Sequence, residues 1–68
     1  MNKSILTKRE NEIFTLLVSG SSTKDIASFL NISEKTVRNH ISNAIQKLGV
    51  KGRAQAVVEL LRMNIISL

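Results

Sequence analysis

The chain has 68 residues, of which 43% are hydrophobic, and it contains neither cysteine nor proline. A chain this short forms one domain, residues 1–68, and its apolar content excludes a disordered tail. Ten lysines and arginines against five acids give a net charge of +5, which favours a polyanionic partner such as nucleic acid. No disulfide, membrane span or secretory signal is indicated, so we expect a soluble cytoplasmic protein without a cofactor or bound metal.

Start and stop signals divide the chain into helices. Thr7 to Glu10 has the sequence of a capping box, Ser22 to Asp25 gives a second helix start, and Ser33 gives a third. Helix ends are expected at residues that tolerate a positive φ, namely Gly20, Asn31 and Gly49. The pattern predicts four helices, over about residues 8–19, 23–30, 34–48 and 53–63.

Apolar residues at steps of three and four define the expected core. Both phenylalanines, Phe14 and Phe29, are assigned to core faces. The fourth helix is apolar on two sides, with Ala54, Val57, Val58, Leu61 and Ile65 on one and Ala56, Leu60 and Met63 on the other. One stripe suffices for the core of a small domain. The other needs a partner, or cover from the N-terminal residues Ile5 and Leu6.

The second helix, the turn at residues 31–33 and the third helix have the pattern of a helix-turn-helix unit. Ala27 supplies a small residue where the two helices approach, and Leu30 and Ile32 flank the turn. An ordinary helical hairpin could reproduce this apolar spacing, so charge placement has to separate the two interpretations. Between Lys35 and Val58 there are five basic residues and no acid.

The side of the third helix opposite Val37 and Ile41 is polar throughout. This side and its edges carry Lys35, Thr36, Arg38, Asn39, Ser42, Asn43 and Gln46. Arginine pairs with guanine, asparagine and glutamine pair with adenine, and lysine reaches guanine or phosphate. A merely solvated face usually mixes glutamate with lysine, whereas here Glu34 is the only acid. We therefore interpret this side as a surface that reads double-stranded DNA.

Residues 32–41 (ISEKTVRNHI) resemble the signature of the LuxR/FixJ family of DNA-binding domains, as do residues 24–27, 47–50 and 53–57. The resemblance covers residues 6–66 and implies a four-helix transcription regulator that lacks enzymatic activity. Residues 6–10, 33–44 and 46–52 are similar, more narrowly, to a stand-alone family member of sporulating bacteria. That likeness implies control of sporulation-type genes in a bacterial, nucleoid-associated setting.

The family resemblance also implies roles for single residues. Arg38, Asn39 and Ser42 would approach bases in the major groove, while Thr23, Thr36, His40 and Lys47 would contact the DNA backbone. Together with the residues of the exposed face, the candidate DNA contacts are Thr23, Lys24, Ser33, Lys35, Thr36, Arg38, Asn39, His40, Ser42, Asn43 and Lys47. A half-buried histidine bonded within the domain is the alternative for His40. Lys8 and Arg9 are expected to be ordinary surface charges, and Lys51 and Arg53 stay open.

The extra apolar stripe of the fourth helix predicts a homodimer contact through Val58, Leu61 and Ile65, with Ile66 beside them. A two-fold dimer would present two recognition helices to half-sites about one DNA turn apart. RNA polymerase is a candidate further partner, and no membrane partner is expected. The main alternative is a helical protein–protein adaptor or anti-regulator. Binding to RNA or to single strands is disfavoured because no exposed aromatic residue is expected for base stacking.

Overall fold

The computed structural model describes residues 5–68 and folds them into four α-helices. They are α1 (Lys8–Val18), α2 (Thr23–Leu30), α3 (Glu34–Leu48) and α4 (Arg53–Arg62). This part of the chain contains no strand, so the prediction of an all-α, four-helix domain is confirmed. Residues 1–4, which the sequence assigns to the same domain, lie outside the described residues.

Side-chain caps begin the first two helices. The Glu10 N–H donates to the Thr7 hydroxyl at 3.1 Å, and the Thr7 N–H donates to the Glu10 carboxylate at 3.0 Å. Ser22 and Asp25 form the same reciprocal box at the start of α2. Each box gives two otherwise unpaired N–H groups an acceptor, which fixes where the helix starts.

Left-handed residues end α2 and α3. Asn31 adopts φ 60° and ψ 45°, so the chain reverses into α3 within three residues. Gly49 has φ 70°, and its N–H donates to the Gln46 carbonyl at 3.1 Å. The Val50 N–H donates to the Ile45 carbonyl at 3.3 Å, which completes the predicted Schellman arrangement.

The core forms around α3, which contacts each of the other three helices. Val37, Ile41 and Ala44 provide its buried side. The other buried apolar side chains are Leu6, Ile13, Phe14, Ile26, Ala27, Ala56, Leu60 and Ile66. The position of α3 is therefore determined from three directions at once.

The assignment of Phe29 to the core is wrong, because its side chain is 77% exposed. On a wheel of about 100° per residue, Phe29 lies about 60° from Ile26, 100° from Leu30 and 160° from Ala27, outside the arc that these three inward residues span. Leu30, one residue further, occupies the inward position and packs against the core. The short α2 therefore carries an aromatic side chain on its outer surface.

The two apolar stripes of α4 are used unequally. Ala56 and Leu60 are fully buried, while Ala54, Val58 and Met63 are exposed. Leu61 and Ile65, assigned to a dimer contact, are half-buried against the core of their own chain. Ile66 is buried in that core, so its assignment beside the dimer contact is wrong. The chain turns at Asn64, which has φ 59°, and this turn brings the last residues back to the core.

Candidate nucleic-acid interface

The side of α3 that the sequence assigns to DNA is exposed along its whole length. Lys35, Arg38, Asn39, Ser42, Asn43 and Gln46 are all exposed, and we call this set the recognition face. Thr36 and His40 are half-buried at its edges. From Lys35 to Gln46 the face is about 16 Å long at 1.5 Å per residue. A bare helix of this kind fits the major groove, which is about 12 Å wide.

Arg38 has an acidic neighbour one turn before it. Its guanidinium lies 3.6 Å from the Glu34 carboxylate, and the Arg38 side chain is 56% exposed. An exposed pair of this kind contributes little, about 0.3–0.5 kcal/mol, because water competes for both charges. A base or phosphate can therefore take over the guanidinium without a large loss of stability.

Ser33 and Thr36 are joined where α3 begins. The Ser33 hydroxyl accepts from the Thr36 N–H at 3.0 Å and donates to the Thr36 hydroxyl at 2.9 Å. The two hydroxyls are therefore joined to each other at the start of α3, and Thr36 lies half-buried at the edge of the recognition face.

Thr23 and Lys24 occupy the first two positions of α2, where backbone N–H groups have no partner within the helix. Thr23 is half-buried and Lys24 is exposed. This end of the helix favours an anion, although the Asp25 carboxylate already serves part of that role. The geometry is suited to a single backbone contact rather than to base reading.

Lys47 has a partner that the sequence analysis did not anticipate. Its ammonium donates to the carboxylate of Glu10, 37 residues earlier in the chain. Only 3% of the Glu10 side chain is exposed, against 35% for Lys47. The Lys47 charge is therefore largely compensated within the domain, where the family resemblance implied a contact to the DNA backbone.

Glu10 remains charged despite its burial. Burial alone raises the pKa of Glu10, but the Lys47 hydrogen bond, the Thr7 N–H and the charges of Lys47 and His40 together lower it below the ordinary 4.5. His40 is thus close enough to act on the same carboxylate. No hydrogen bond joins the His40 side chain to another described residue, so only its half-buried position agrees with the internal role considered for it.

Three cations outside the candidate set also lie on the surface. Lys51 and Arg53 are exposed on the connection between α3 and α4 and at the start of α4. Arg9 pairs with Glu12 at 3.4 Å on the surface of α1. Within residues 5–68 no three histidine or acidic side chains cluster to hold a metal ion, and none of the helices has the length and apolarity to cross a bilayer.

The short helix α2, its tight turn and the exposed basic face of α3 define a helix-turn-helix DNA-binding domain. Residues 4–60 match the family model described as bacterial regulatory proteins, luxR family. The chain belongs to this luxR family.

Two relatives cover nearly the whole chain. The spore germination protein GerE of Bacillus subtilis (strain 168) is 72% identical over 67 residues, which are 98% of this chain and 90% of that protein. A solved structure titled as the transcription factor GerE superposes with a TM-score of 0.93 at 68% identity, covering 96% of this chain and 97% of that one. These two relatives are therefore similar to this chain in sequence, in length and in fold.

A longer relative contains the same domain as one of its parts. The transcriptional regulatory protein DegU of Brevibacillus brevis is 52% identical over 58 residues, which are 85% of this chain and 25% of that protein. The chain thus spans about a quarter of DegU.

Replacing Glu10 by glutamine should alter how stability depends on pH. The lowered pKa means that the folded chain binds fewer protons than the unfolded chain near pH 4, so Glu10 stabilises the fold above pH 4.5 and this contribution is lost on acidification. We expect Glu10→Gln to lower the free energy of unfolding by about 1–2 kcal/mol at neutral pH. The loss is at the low end of the range for a charged hydrogen bond because Lys47 is partly solvated. The variant should also flatten the decline in unfolding free energy between about pH 5 and pH 3.

Urea unfolding at a series of pH values measures this effect. Glu12→Gln is the matched control, because Glu12 lies on the same helix in an exposed pair. The control should follow the wild-type pH profile. A Glu10→Gln profile parallel to wild type would show that the Glu10–Lys47 pair does not hold the two helices together.

Proposed function

We propose that the chain is a sequence-specific regulator of sporulation-type genes that lays α3 in the major groove of double-stranded DNA as a homodimer. The observation that carries this proposal is the recognition face, an exposed and rigid helix side with Glu34 as its one acidic neighbour. The name of the B. subtilis relative, a spore germination protein, supports the link to sporulation. A location in the bacterial cytoplasm, associated with the nucleoid, follows from this partner.

Affinity and specificity come from different residues in this proposal. The DNA backbone is held by Lys35, Lys24, Thr23 and Thr36. The affinity from the charged contacts depends steeply on salt, because binding releases cations that were condensed on the DNA. Arg38, Asn39, Ser42 and Asn43 discriminate between bases. Ser33 contributes through its cap on Thr36, and His40 contributes from the edge of the face.

Dimerisation is proposed through the outer side of α4. Val58, 54% exposed, lies in a shallow groove together with Val50, Ala54, Gln55 and Glu59. Val58 lies at the centre of this proposed contact. Leu61 and Ile65, which the sequence analysis also assigned to it, lie half-buried between the contact and the core. Two copies related by a two-fold axis would present their recognition helices to half-sites one DNA turn of about 34 Å apart.

The alternative of a protein–protein adaptor differs in its response to salt. An adaptor that uses α3 as a protein-binding face would lack the steep linear loss of affinity that phosphate contacts cause. A contact between the regulator and RNA polymerase is compatible with either function, and no described residue singles out a surface for it.

Selection of binding sites from random duplexes tests the proposed function directly. Wild type should retain a two-fold related sequence, and Arg38→Ala should bind it about 1–3 kcal/mol more weakly with one relaxed position in each half-site. Arg9→Ala is the control, since Arg9 forms the same type of surface pair on α1. Recovery of no preferred sequence by wild type would contradict the proposal, and an unchanged preference in Arg38→Ala would remove Arg38 from the reading residues.

The salt dependence of binding distinguishes the roles of two lysines. Lys35→Gln should reduce the slope of log affinity against log salt by about 0.9, because one phosphate contact is lost. Replacing both Lys47 and Glu10 by glutamine should leave the slope unchanged, because the Lys47 charge is already compensated by Glu10. Fluorescence anisotropy at several salt concentrations measures both slopes. A reduction of about 0.9 in the double variant would restore Lys47 to the phosphate contacts.

Val58→Lys should separate the dimer. It places a charge at the centre of the proposed α4 contact without entering the core, and DNA affinity should fall by roughly 100-fold when the two half-sites are no longer linked. Met63→Lys is the control, because Met63 is exposed about 140° further round the helix. Sedimentation measures the oligomeric state. A Val58→Lys chain that sediments as wild type does would exclude this interface.

A further inference from the structure

The outer surface of α2 carries an apolar groove that neither the recognition face nor the α4 contact uses. The chain has two phenylalanines and no tyrosine or tryptophan. Phe14 is fully buried, whereas Phe29 projects from α2 with 77% of its surface exposed. An exposed aromatic side chain among further apolar surface is typical of a binding site.

Phe29 forms one wall of this groove between α1 and α2. Half-buried Leu16 and Leu30 form its floor, and polar residues of α1 line the other wall, namely Asn11, Glu12 and Thr15. No residue of α3 or α4 contributes to its lining. We call this site the Phe29 groove.

The groove is held in a fixed shape. The Ser22–Asp25 capping box begins α2, and left-handed Asn31 ends it one residue after Leu30. Opposite, the Thr15 hydroxyl donates to the Asn11 carbonyl at 2.8 Å, which keeps this polar wall on the helix. A ligand would therefore meet a surface that is already ordered, so that binding costs little conformational entropy.

The charge at the Phe29 groove has the opposite sign to that of the whole chain. Glu12 is the one ionisable residue in its lining. Asp25 lies one turn before Phe29 on the same side of α2. Arg9 contacts Glu12 at 3.4 Å, and both Arg9 and Asp25 lie outside the lining of the groove. Two carboxylates beside an apolar groove repel phosphate and attract a cationic group that is attached to an apolar one.

A second copy of the chain fits this site poorly. A symmetric contact centred on the groove would press together two surfaces that each carry Glu12 and Asp25, so each copy would offer the other acidic groups and no unpaired cation from the lining. We infer that the Phe29 groove binds a short helix of another protein. This helix buries apolar side chains against Phe29 and places a lysine or arginine beside Glu12 and Asp25, while α3 stays free for DNA.

Selection of peptides on the full chain tests this inference. Random peptides of about 15 residues, four helical turns, are selected for binding to wild type and counter-selected on Phe29→Ala. The retained peptides should combine apolar residues at helical spacing with lysine or arginine. Phe29→Ala should weaken their binding at least about tenfold, as for the loss of a central aromatic contact. Glu12→Gln combined with Asp25→Asn should weaken binding mainly at low salt.

Two controls accompany the selection. Met63→Ala removes an exposed apolar side chain just after the end of α4 and should leave peptide binding unchanged. Phe29→Ala should bind duplex DNA as wild type does, which also shows that the variant is folded.

Several results would overturn the inference. They are the absence of any peptide that Phe29→Ala weakens, enrichment of acidic peptides, and displacement of the peptides by single-stranded oligonucleotides. Self-association of the chain that Phe29→Ala abolishes would assign the groove to a second copy. A loss of duplex binding in the folded Phe29→Ala variant would assign it to DNA.

Discussion

One helix has to serve as both the centre of the core and the surface that we propose meets DNA. Val37, Ile41 and Ala44 bury one side of α3 against the other three helices, and the recognition face occupies the side that remains. Because both sides belong to one rigid helix, any change in core packing that rotates α3 also rotates Arg38 and Asn39. The orientation of these proposed reading residues is therefore set first by apolar packing.

The Glu10–Lys47 pair adds a polar constraint to this packing. Glu10 first completes the capping box of α1 through the Thr7 N–H. Its carboxylate then accepts from Lys47 near the end of α3. A single buried carboxylate thus fixes where one helix starts and where another lies against it. Removing either charge would leave the other without its main partner, which costs more than the pair itself contributes.

Sequence analysis succeeded where the signals are local. Capping boxes, the left-handed residues Asn31 and Gly49, and helical spacing each lie within a few residues, so they predict the helices and the exposed side of α3. The Glu10–Lys47 pair was not predicted, because 37 residues separate its members and their contact depends on how α1 crosses α3. The capping box at the start of α1 also accounts for an acidic residue at position 10, so nothing in the sequence called for a second partner of Glu10.

Two further errors have a common cause, which is that an apolar residue does not reveal whether its side of a helix is covered. Phe29 and Ile66 are both apolar, yet α2 is so short that Leu30 alone fills its inward position, while the turn at Asn64 returns Ile66 to the core. In the small dimerising domain expected here, a long apolar stripe on α4 was assigned to a partner. Three members of that stripe, Val57, Leu61 and Ile65, also pack against the core of their own chain, while Val58 stays exposed.

The surface that remains is divided by chemistry. The recognition face is polar and basic and has no exposed large apolar side chain, as a phosphate-lined groove requires. Val58 and Phe29, the two large apolar side chains that are exposed within helices α4 and α2, lie on other sides of the domain. On α3 either of them would displace a hydrogen-bonding group from the DNA groove. On α4 and α2 they cost the free chain some solubility, and this cost is offset only when a copy or another protein covers them.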